Sequence, residues 1–275
     1  MITAHLPWSY RHAHHRAKRK NMSREDWNLF RAVASRVAFA NRFLDGHVAY
    51  PYQRGALESR ADRKVLCCGR DVGKSVEIRI AGAWASVACP RQSMLITAPQ
   101  QSHLEPHVDW FTGLFRENPF FAGDVVRFKT TPYFYVRCRN GFELHIRAAG
   151  PQGLTYEGMH NDWHLVDEAQ GLSERAWTNL FQALLAGGTR WIYGVPDGRL
   201  SMFRKISQNP DYEQHWWPSY LKPDWTRAKR DELCALYGGP ESPGFVQQVM
   251  GMWGAPVNQA FEHYPCENYE YIQDR

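Results

Sequence analysis

A Gly-Lys-Ser triplet at residues 73–75 lies where a short apolar run turns into a segment of helical character. Backbone N–H groups converge at such a strand-to-helix turn and the helix dipole favours anions, so this turn predicts a phosphate site. Lys74 is expected to reach the β- and γ-phosphates of a nucleotide, and the Ser75 hydroxyl to complete the coordination of Mg²⁺. The match to the phosphate-loop pattern is imperfect, because Cys68 holds the place of the first glycine and Gly69 follows it. For this loop alone, an accidental strand-to-helix turn stays open as an alternative.

A second feature is the acidic pair Asp167-Glu168, which ends a predicted short strand at residues 163–166. Ligands of parallel sheets collect at the carboxyl ends of the strands. Asp167 is therefore expected to bind Mg²⁺, and Glu168 to orient or polarise an attacking water. The alternative is a capping pair before the helix predicted near Ser173, since acids are favoured at helix N-termini. The strand context and the preceding Gly-Lys-Ser loop favour the functional interpretation.

The elements that must position these residues alternate between strand and helix, which predicts a parallel sheet covered by helices on both faces. Strands are predicted at 64–68, 94–98, 133–138, 142–147, 163–166 and 190–193, and helices at 27–43, before 60, at 74–88, 101–117, 173–186 and 225–237. Asn140-Gly141 predicts a type I′ turn, so its two flanking strands should form an antiparallel hairpin at the edge of the sheet.

Composition limits the class of protein. The chain has 275 residues, 44% hydrophobic and 22% charged, enough for one large α/β domain with a buried core. No apolar run is long enough to span a membrane, and the N-terminus lacks the apolar core of a secretory signal, so a reducing compartment is expected. The six cysteines show no paired metal spacing, and adjacent Cys67 and Cys68 are expected to point to opposite faces of a strand as small core residues.

The net charge and the aromatic content do not identify a binding partner. The net charge of +5 is mild support for a polyanionic partner. The basic run at residues 11–20 suits either phosphate contacts or a solvated arm. The eleven tryptophans could stack on bases, although burial in a core is the commoner fate of such side chains.

The order of these motifs resembles the ATPase half of the large terminase subunit of tailed bacteriophages, the motor that packages DNA into procapsids. The likeness spans residues 50–261. It implies an α/β P-loop NTPase (RecA-like) fold, with a mostly parallel sheet flanked by helices and an antiparallel edge hairpin. The family's loop reads Gly-Arg-x-x-Gly-Lys-Ser/Thr, which accounts for the displaced glycine. By this resemblance the ATP-binding loop consists of Gly69, Arg70, Asp71, Val72, Gly73, Lys74 and Ser75, with Arg70 also in a catalytic role.

Other segments support the resemblance. Gln53 falls where the family has an adenine-recognising glutamine, whose amide can both donate to and accept from an adenine edge. Thr97-Ala98-Pro99 is similar to the family's strand ending in Ala-Pro, and residues 194–198 resemble its coupling motif, which senses the γ-phosphate. Residues 245–248 and 259–261 look like the exit toward a nuclease domain.

Two positions depart from the family pattern. Glu157-Gly158 stands where an Arg-Gly is common, so an arginine finger for a neighbouring subunit must come from elsewhere. Arg139 and Arg147 are the candidates, and ordinary pairing of a hairpin arginine with an edge carboxylate is the alternative for each. Val195 occupies the place of a threonine or serine, which removes a hydroxyl from the expected γ-phosphate sensor.

The resemblance also suggests a domain organisation. Residues 1–49 are expected to form a basic arm and a helix, 50–255 the ATPase domain, and 256–275 a linker toward a nuclease domain that this chain lacks. The rest of the chain has too few carboxylates in strand context for a two-metal nuclease site. An isolated ATPase domain is therefore expected.

The function implied by the resemblance is ATP-driven translocation of double-stranded DNA, with ATP and Mg²⁺ as cofactors and contacts mostly to DNA phosphates. Its implied partners are further copies of the chain in a ring (a pentamer in the family), a portal and a small terminase subunit, in the host cytoplasm. Two alternatives remain at this stage. One is a helicase-like DNA-dependent ATPase with a role outside packaging, and the other is a non-hydrolysing module that binds nucleic acid or capsid.

Overall fold

The computed structural model describes residues 32–44 and 49–254, which form a set of strands and helices. The strands are β1 (Arg63–Cys68), β2 (Ser93–Ala98), β3 (Val125–Lys129), β4 (Phe134–Cys138), β5 (Glu143–Ala148), β6 (Asn161–Val166), β7 (Leu184–Gly194) and β8 (Glu213–Trp217). The helices are α1 (Arg36–Phe43), α2 (Pro51–Glu58), α3 (Lys74–Ala88), α4 (Gln101–Glu117), α5 (Pro119–Ala122), α6 (Glu174–Gln182), α7 (Met202–Ser207), α8 (Arg227–Tyr237) and α9 (Pro243–Gln248). Single 3₁₀ turns occupy Leu154–Tyr156, Ala169–Gly171 and Ser219–Leu221.

The strands form one sheet in the order β3-β4-β5-β2-β6-β7-β1-β8. All neighbouring pairs from β5 to β8 are parallel, and β3 and β4 are antiparallel additions at one edge. Parallel neighbours end at the same side of the sheet, so the loops after β1, β7 and β6 meet there. The predicted α/β fold with a mostly parallel sheet and an antiparallel edge is confirmed.

Each face of the sheet buries its own apolar cluster. One cluster packs helices α1 to α4 against side chains such as Leu66, Ile96 and Leu165. The other packs α6 and α7 against Val65, Leu95 and Val166. Burial on both faces is the condition under which parallel strands are stable, and it explains their near-continuous apolar sequences.

Adjacent Cys67 and Cys68 divide between the two clusters, because successive side chains of a strand point to opposite faces. Neither forms a disulfide, and burial raises the pKa of the Cys67 thiol to about 11. Both behave as small core residues, as the sequence predicts.

The predicted helix at 173–186 is too long. It begins after Ser173, whose side chain accepts a hydrogen bond from the Ala176 N–H, and it ends at Gln182. The residues from Leu184 onward instead pair with β6, where Asn161 lies opposite Leu184. Pairing with a strand of the sheet therefore outweighs the helical preference of this segment, and β7 extends beyond the predicted 190–193.

The other differences from the predicted elements lie at a helix cap, at a turn and at the edges of the sheet. The predicted helix at 27–43 lies partly outside the described residues, and within them Ser35 interrupts it and caps α1. The turn between β4 and β5 is not type I′, because Gly141 has a positive φ but Asn140 does not. Its hydrogen bonds fit a type I turn followed by a left-handed glycine. The strands β3 and β8, which lie at the two edges of the sheet, are not predicted from the sequence.

Residues 11–20, the linker at 256–275 and the segment 259–261 lie outside the described residues, as does the helix start near Ser23. Among the residues that the structure describes, none of the helices has the length and apolar character required to cross a membrane.

A buried ion pair joins β1 to the first turn of α3. The Lys64 ammonium group donates to Glu77 Oε1 and to the Ala56 carbonyl oxygen at 2.7 Å, and it lies 3.5 Å from the centroid of the Trp191 ring. Both side chains of the pair are fully buried. Burial lowers the pKa of Lys64 to about 8, against the opposing charge of Glu77.

Removing only the lysine should destabilise the fold strongly, because Glu77 is then left as an uncompensated buried charge. For Lys64→Met we expect a loss of about 3–5 kcal/mol in the free energy of unfolding, measured by urea titration. The double variant Lys64→Met/Glu77→Met should recover part of this loss, and Lys205→Met, which changes an exposed lysine, should have little effect. A double variant that is no more stable than Lys64→Met would show that the pairing of the two charges is not the cause.

Candidate phosphate-binding site

The loop after β1 is shaped by two positive φ angles. Gly73 has φ 82° and is the N-cap of α3, and Asp71 has φ 60°. The positive φ angle favours glycine at residue 73, and a Cβ atom there would lie 2.4 Å from Nε2 of Gln53 and displace that amide. The loop therefore presents the N-terminus of a fifteen-residue helix, whose free N–H groups favour an anion.

The displaced glycine of the loop also has a packing reason. A Cβ atom on Gly69 would lie 2.3 Å from the Val249 carbonyl oxygen and 2.5 Å from the Ser219 hydroxyl. Gly69 also donates its N–H to the Trp217 carbonyl oxygen at 2.8 Å. Glycine is needed at residue 69 because the chain after β8 and the chain after α9 both cross the loop there.

Contacts from outside the loop hold its backbone. Arg70 donates its backbone N–H to the Gln248 carbonyl oxygen at 2.7 Å, and its Nε to the Gln248 side chain. The Ser219 hydroxyl donates to the Arg70 carbonyl oxygen at 2.8 Å, and the Lys222 ammonium group contacts the Asp71 carboxylate. The loop is therefore held in shape by the segments at 217–222 and 245–251.

Asp167 follows β6 and is buried beside the loop. Its Oδ2 lies 3.4 Å from the Ser75 hydroxyl and 3.0 Å from His107 Nε2, and its Oδ1 accepts the Glu168 N–H at 2.9 Å. Burial alone would raise the Asp167 pKa, but the hydrogen bond and charge of His107 and the charge of Lys74 hold it below its ordinary value. Asp167 is therefore ionised at neutral pH.

The Ser75 hydroxyl and the Asp167 carboxylate fit a Mg²⁺ site in their chemistry. Mg²⁺ takes oxygen ligands and commonly uses one or two protein oxygens together with substrate phosphates. Within residues 32–44 and 49–254, no three His, Cys, Asp or Glu side chains are grouped as a self-sufficient metal cage. A Mg²⁺ ion here would supply positive charge to the phosphates, while Ser75 and Asp167 would hold it.

Lys74 and Glu168 form an ion pair across the site, with Lys74 Nζ 3.4 Å from Glu168 Oε1. Only 8% of the Lys74 side chain is exposed, against 30% for Glu168. Burial alone lowers the Lys74 pKa, but the charges of Glu168 and Asp167 raise it above its ordinary value. Lys74 is a buried cation, whose charge is available to an anion that enters the loop.

Gln53 lies in the first turn of α2 and contacts the backbone of the loop. Its Oε1 accepts the Tyr50 N–H at 2.9 Å, and its Nε2 lies 3.3 Å from the carbonyl oxygens of both Val72 and Gly73. In this structure the NH₂ group of the amide contacts the loop backbone, while the amide oxygen binds the backbone at the start of α2. Its predicted role in adenine recognition remains a prediction.

The two candidate arginines lie at opposite ends of the parallel strands. Arg139 is in the β4–β5 turn at the amino end of β2, exposed and 3.8 Å from Asp124, so its own chain does not bring it to the loop. Arg147 lies at the carboxyl edge, beside Thr97, and its guanidinium group stacks 3.4 Å from the centroid of the Tyr133 ring. A role for either in a neighbouring subunit's site remains a prediction.

No protein-family model and no curated protein matches this chain. Solved structures do. The large terminase ATPase domain of Thermus phage P74-26 superposes with a TM-score of 0.61 at 19% identity, covering 78% of this chain and 97% of that one. The HK97 bacteriophage large terminase gives 0.62 at 13% identity, covering 80% and 55%.

The large terminase of another thermophilic bacteriophage, in complex with ATP-γ-S, gives a TM-score of 0.51 at 13% identity, covering 82% of this chain and 52% of that one. The chain has the fold of a large terminase ATPase domain. It spans about half the length of this terminase and of the HK97 protein, and nearly all of the P74-26 domain. The RecA-like P-loop fold implied by the sequence resemblance is confirmed.

Three contacts of the site were not predicted from the sequence. They involve His107 on α4, Gln170 in the turn after Glu168, and Lys222 after β8. His107 is one of two histidines in α4, and Lys222 is a single lysine before a proline, so neither belongs to a motif that the sequence reveals. Gln170 follows the acidic pair by two residues, which is the one signal that could have directed attention to it.

Proposed function

We propose that this chain is an ATP-hydrolysing motor domain that translocates double-stranded DNA into a viral procapsid. The proposal rests on one observation. At the carboxyl ends of the strands of a terminase-like sheet, Lys74 lies close to Glu168 and Ser75 lies close to Asp167. A cation, a hydroxyl and two carboxylates around a helix N-terminus are the groups that phosphoryl transfer requires.

Each residue has a role that follows from its position. The free N–H groups at the start of α3 and the Lys74 cation would bind the phosphates of ATP. Ser75 and Asp167 would hold Mg²⁺, which supplies charge stabilisation to the phosphates. Glu168, the partly exposed acid, would orient the attacking water and accept its proton. Gln53 and Arg70 are proposed contacts of the nucleotide.

The choice of DNA packaging over other uses of ATP rests on the likeness in fold to terminase ATPase domains, including a thermophilic-phage terminase in complex with ADP and with ATP-γ-S. A helicase-like ATPase remains the second candidate, because the loop and acidic pair would serve it equally. A non-hydrolysing module is the third. The implied ring, portal, small subunit and the finger role of Arg139 belong to this proposal.

Phosphate release assays test the proposal. We expect the chain to hydrolyse ATP only with Mg²⁺, faster when duplex DNA of unrelated sequences is added, because contacts to phosphates carry no sequence information. We expect no separation of the strands of a labelled duplex in the same reactions.

Two outcomes would contradict this function. Absence of ATP turnover with and without DNA would favour a non-hydrolysing module. ATP-dependent strand separation would favour the helicase-like alternative.

A further inference from the structure

Glu168 is held at both carboxylate oxygens. Oε1 pairs with Lys74 at 3.4 Å, and Oε2 accepts a hydrogen bond from Gln170 Nε2 at 2.5 Å. The backbone of Glu168 has φ 48°, an unusual angle for a residue with a side chain, and its N–H is bound to Asp167. Its carboxylate therefore has a defined position, in which Lys74 and Gln170 each contact a different oxygen.

Gln170 also contacts the loop after β7. Its Oε1 accepts the backbone N–H of Val195 at 3.1 Å. One amide therefore donates to the proposed catalytic carboxylate and accepts from the segment 194–198, which is the predicted coupling motif. Since β7 lies between β1 and β6, this segment sits between the phosphate loop and the acidic pair.

The position of the Gln170 side chain is tightly constrained. A Cβ atom on Gly194 would lie 2.9 Å from Gln170 Oε1 and 2.6 Å from the Phe203 ring, so a side chain at residue 194 would crowd the amide. The Gln170 backbone is held as well, because Arg199 donates to its carbonyl oxygen at 2.9 Å. Two independent contacts thus join the turn after Glu168 to the segment after β7.

The pair with Lys74 has a consequence for ATP binding. Phosphates that bind Lys74 compete with Glu168 for the same ammonium group, so ATP is expected to separate the pair. The hydrogen bond from Gln170 does not involve Lys74 and can persist. After this separation, the hydrogen bond from Gln170 still restrains Glu168. A shift of the Glu168 carboxylate would then move the Gln170 amide, which also binds the Val195 N–H.

We infer that Gln170 is a positioning residue, which aims the Glu168 carboxylate for water activation and transmits its displacement to the 194–198 segment. This rests on the proposed function of the site, because it assigns Glu168 the role of base. The contact with Gln170 uses the backbone N–H of Val195. It therefore does not depend on the side-chain hydroxyl that valine lacks at this position.

Two substitutions separate the two contacts of Gln170. Gln170→Glu keeps an acceptor for the Val195 N–H but replaces the donor to Glu168 with a carboxylate that repels it, whereas Gln170→Ala loses both contacts. We expect both variants to lower kcat by about tenfold or more, the effect of losing one hydrogen bond to a charged group. ATP affinity of Gln170→Ala should stay within about twofold of wild type, and only Gln170→Ala should accelerate amide hydrogen exchange at Val195.

A double-mutant cycle tests whether Gln170 acts through Glu168. In the Glu168→Gln background, measured by single-turnover hydrolysis, Gln170→Ala should cause no further loss. A kcat near the wild-type value for Gln170→Ala, or an equal loss in both backgrounds, would overturn the inference while leaving the proposed function standing. If the wild-type chain does not hydrolyse ATP, the proposed function fails. In that case an unchanged rate of amide hydrogen exchange at Val195 in Gln170→Ala would show that Gln170 does not bind the Val195 N–H.

Discussion

Replacing Lys74 with alanine is expected to weaken ATP binding by about 100-fold, which corresponds to the loss of one or two charge-assisted contacts to phosphate. The side chain is buried next to the loop, and the charges of Glu168 and Asp167 raise its pKa, so it is fully protonated at neutral pH. Alanine removes this cation and leaves two carboxylates that repel the phosphates. Titration with a fluorescent ATP analogue measures the change.

The matched control for Lys74→Ala is Lys205→Ala on α7, which removes an exposed lysine 4.0 Å from Glu174. It should bind ATP as the wild type does. Thermal unfolding of both variants establishes that the proteins are folded. Equal ATP affinity in Lys74→Ala and Lys205→Ala would show that the loop does not bind the phosphates.

The second large effect is expected at Glu168. Glu168→Gln should slow hydrolysis by about 10²–10⁴-fold, the usual contribution of a general base, while ATP still binds. Glutamine keeps the size of the side chain and its acceptor oxygen but cannot take a proton from water. It also releases Lys74 from its ion pair, so the affinity for ATP should not fall.

Glu174→Gln is the control for the carboxylate, since Glu174 is an exposed acid at the start of α6 and 4.0 Å from Lys205. Its hydrolysis rate should equal that of the wild type. If Glu168→Gln also hydrolyses ATP at the wild-type rate, Glu168 is not the base and the proposed mechanism is wrong.

The fold could be predicted from sequence where local signals agree with tertiary packing. The helix at Gln101–Glu117 matches its predicted bounds, and that at Lys74–Ala88 follows from the glycine that caps it. The sequence fails where pairing with distant residues decides the conformation. Residues 184–186 have a helical sequence, yet they join β7 because β6 offers them hydrogen bonds.

The same division applies to the site. Lys74, Ser75, Asp167 and Glu168 could be predicted because motif spacing and strand ends specify them. His107 could not, since it reaches Asp167 from a helix sixty residues away in the sequence, through packing that no local pattern encodes. Arg139 lies 3.8 Å from Asp124, a contact of the kind that the sequence left open as the alternative to a finger role.

The central claim is that this loop and acidic pair hydrolyse ATP, and single-turnover conversion of prebound ATP to ADP and phosphate tests it most directly. With Mg²⁺ present, the wild type and Glu174→Gln are predicted to convert the bound ATP, while Glu168→Gln retains it intact. Failure of the wild type to convert bound ATP, or conversion at equal rates by all three proteins, would contradict the account.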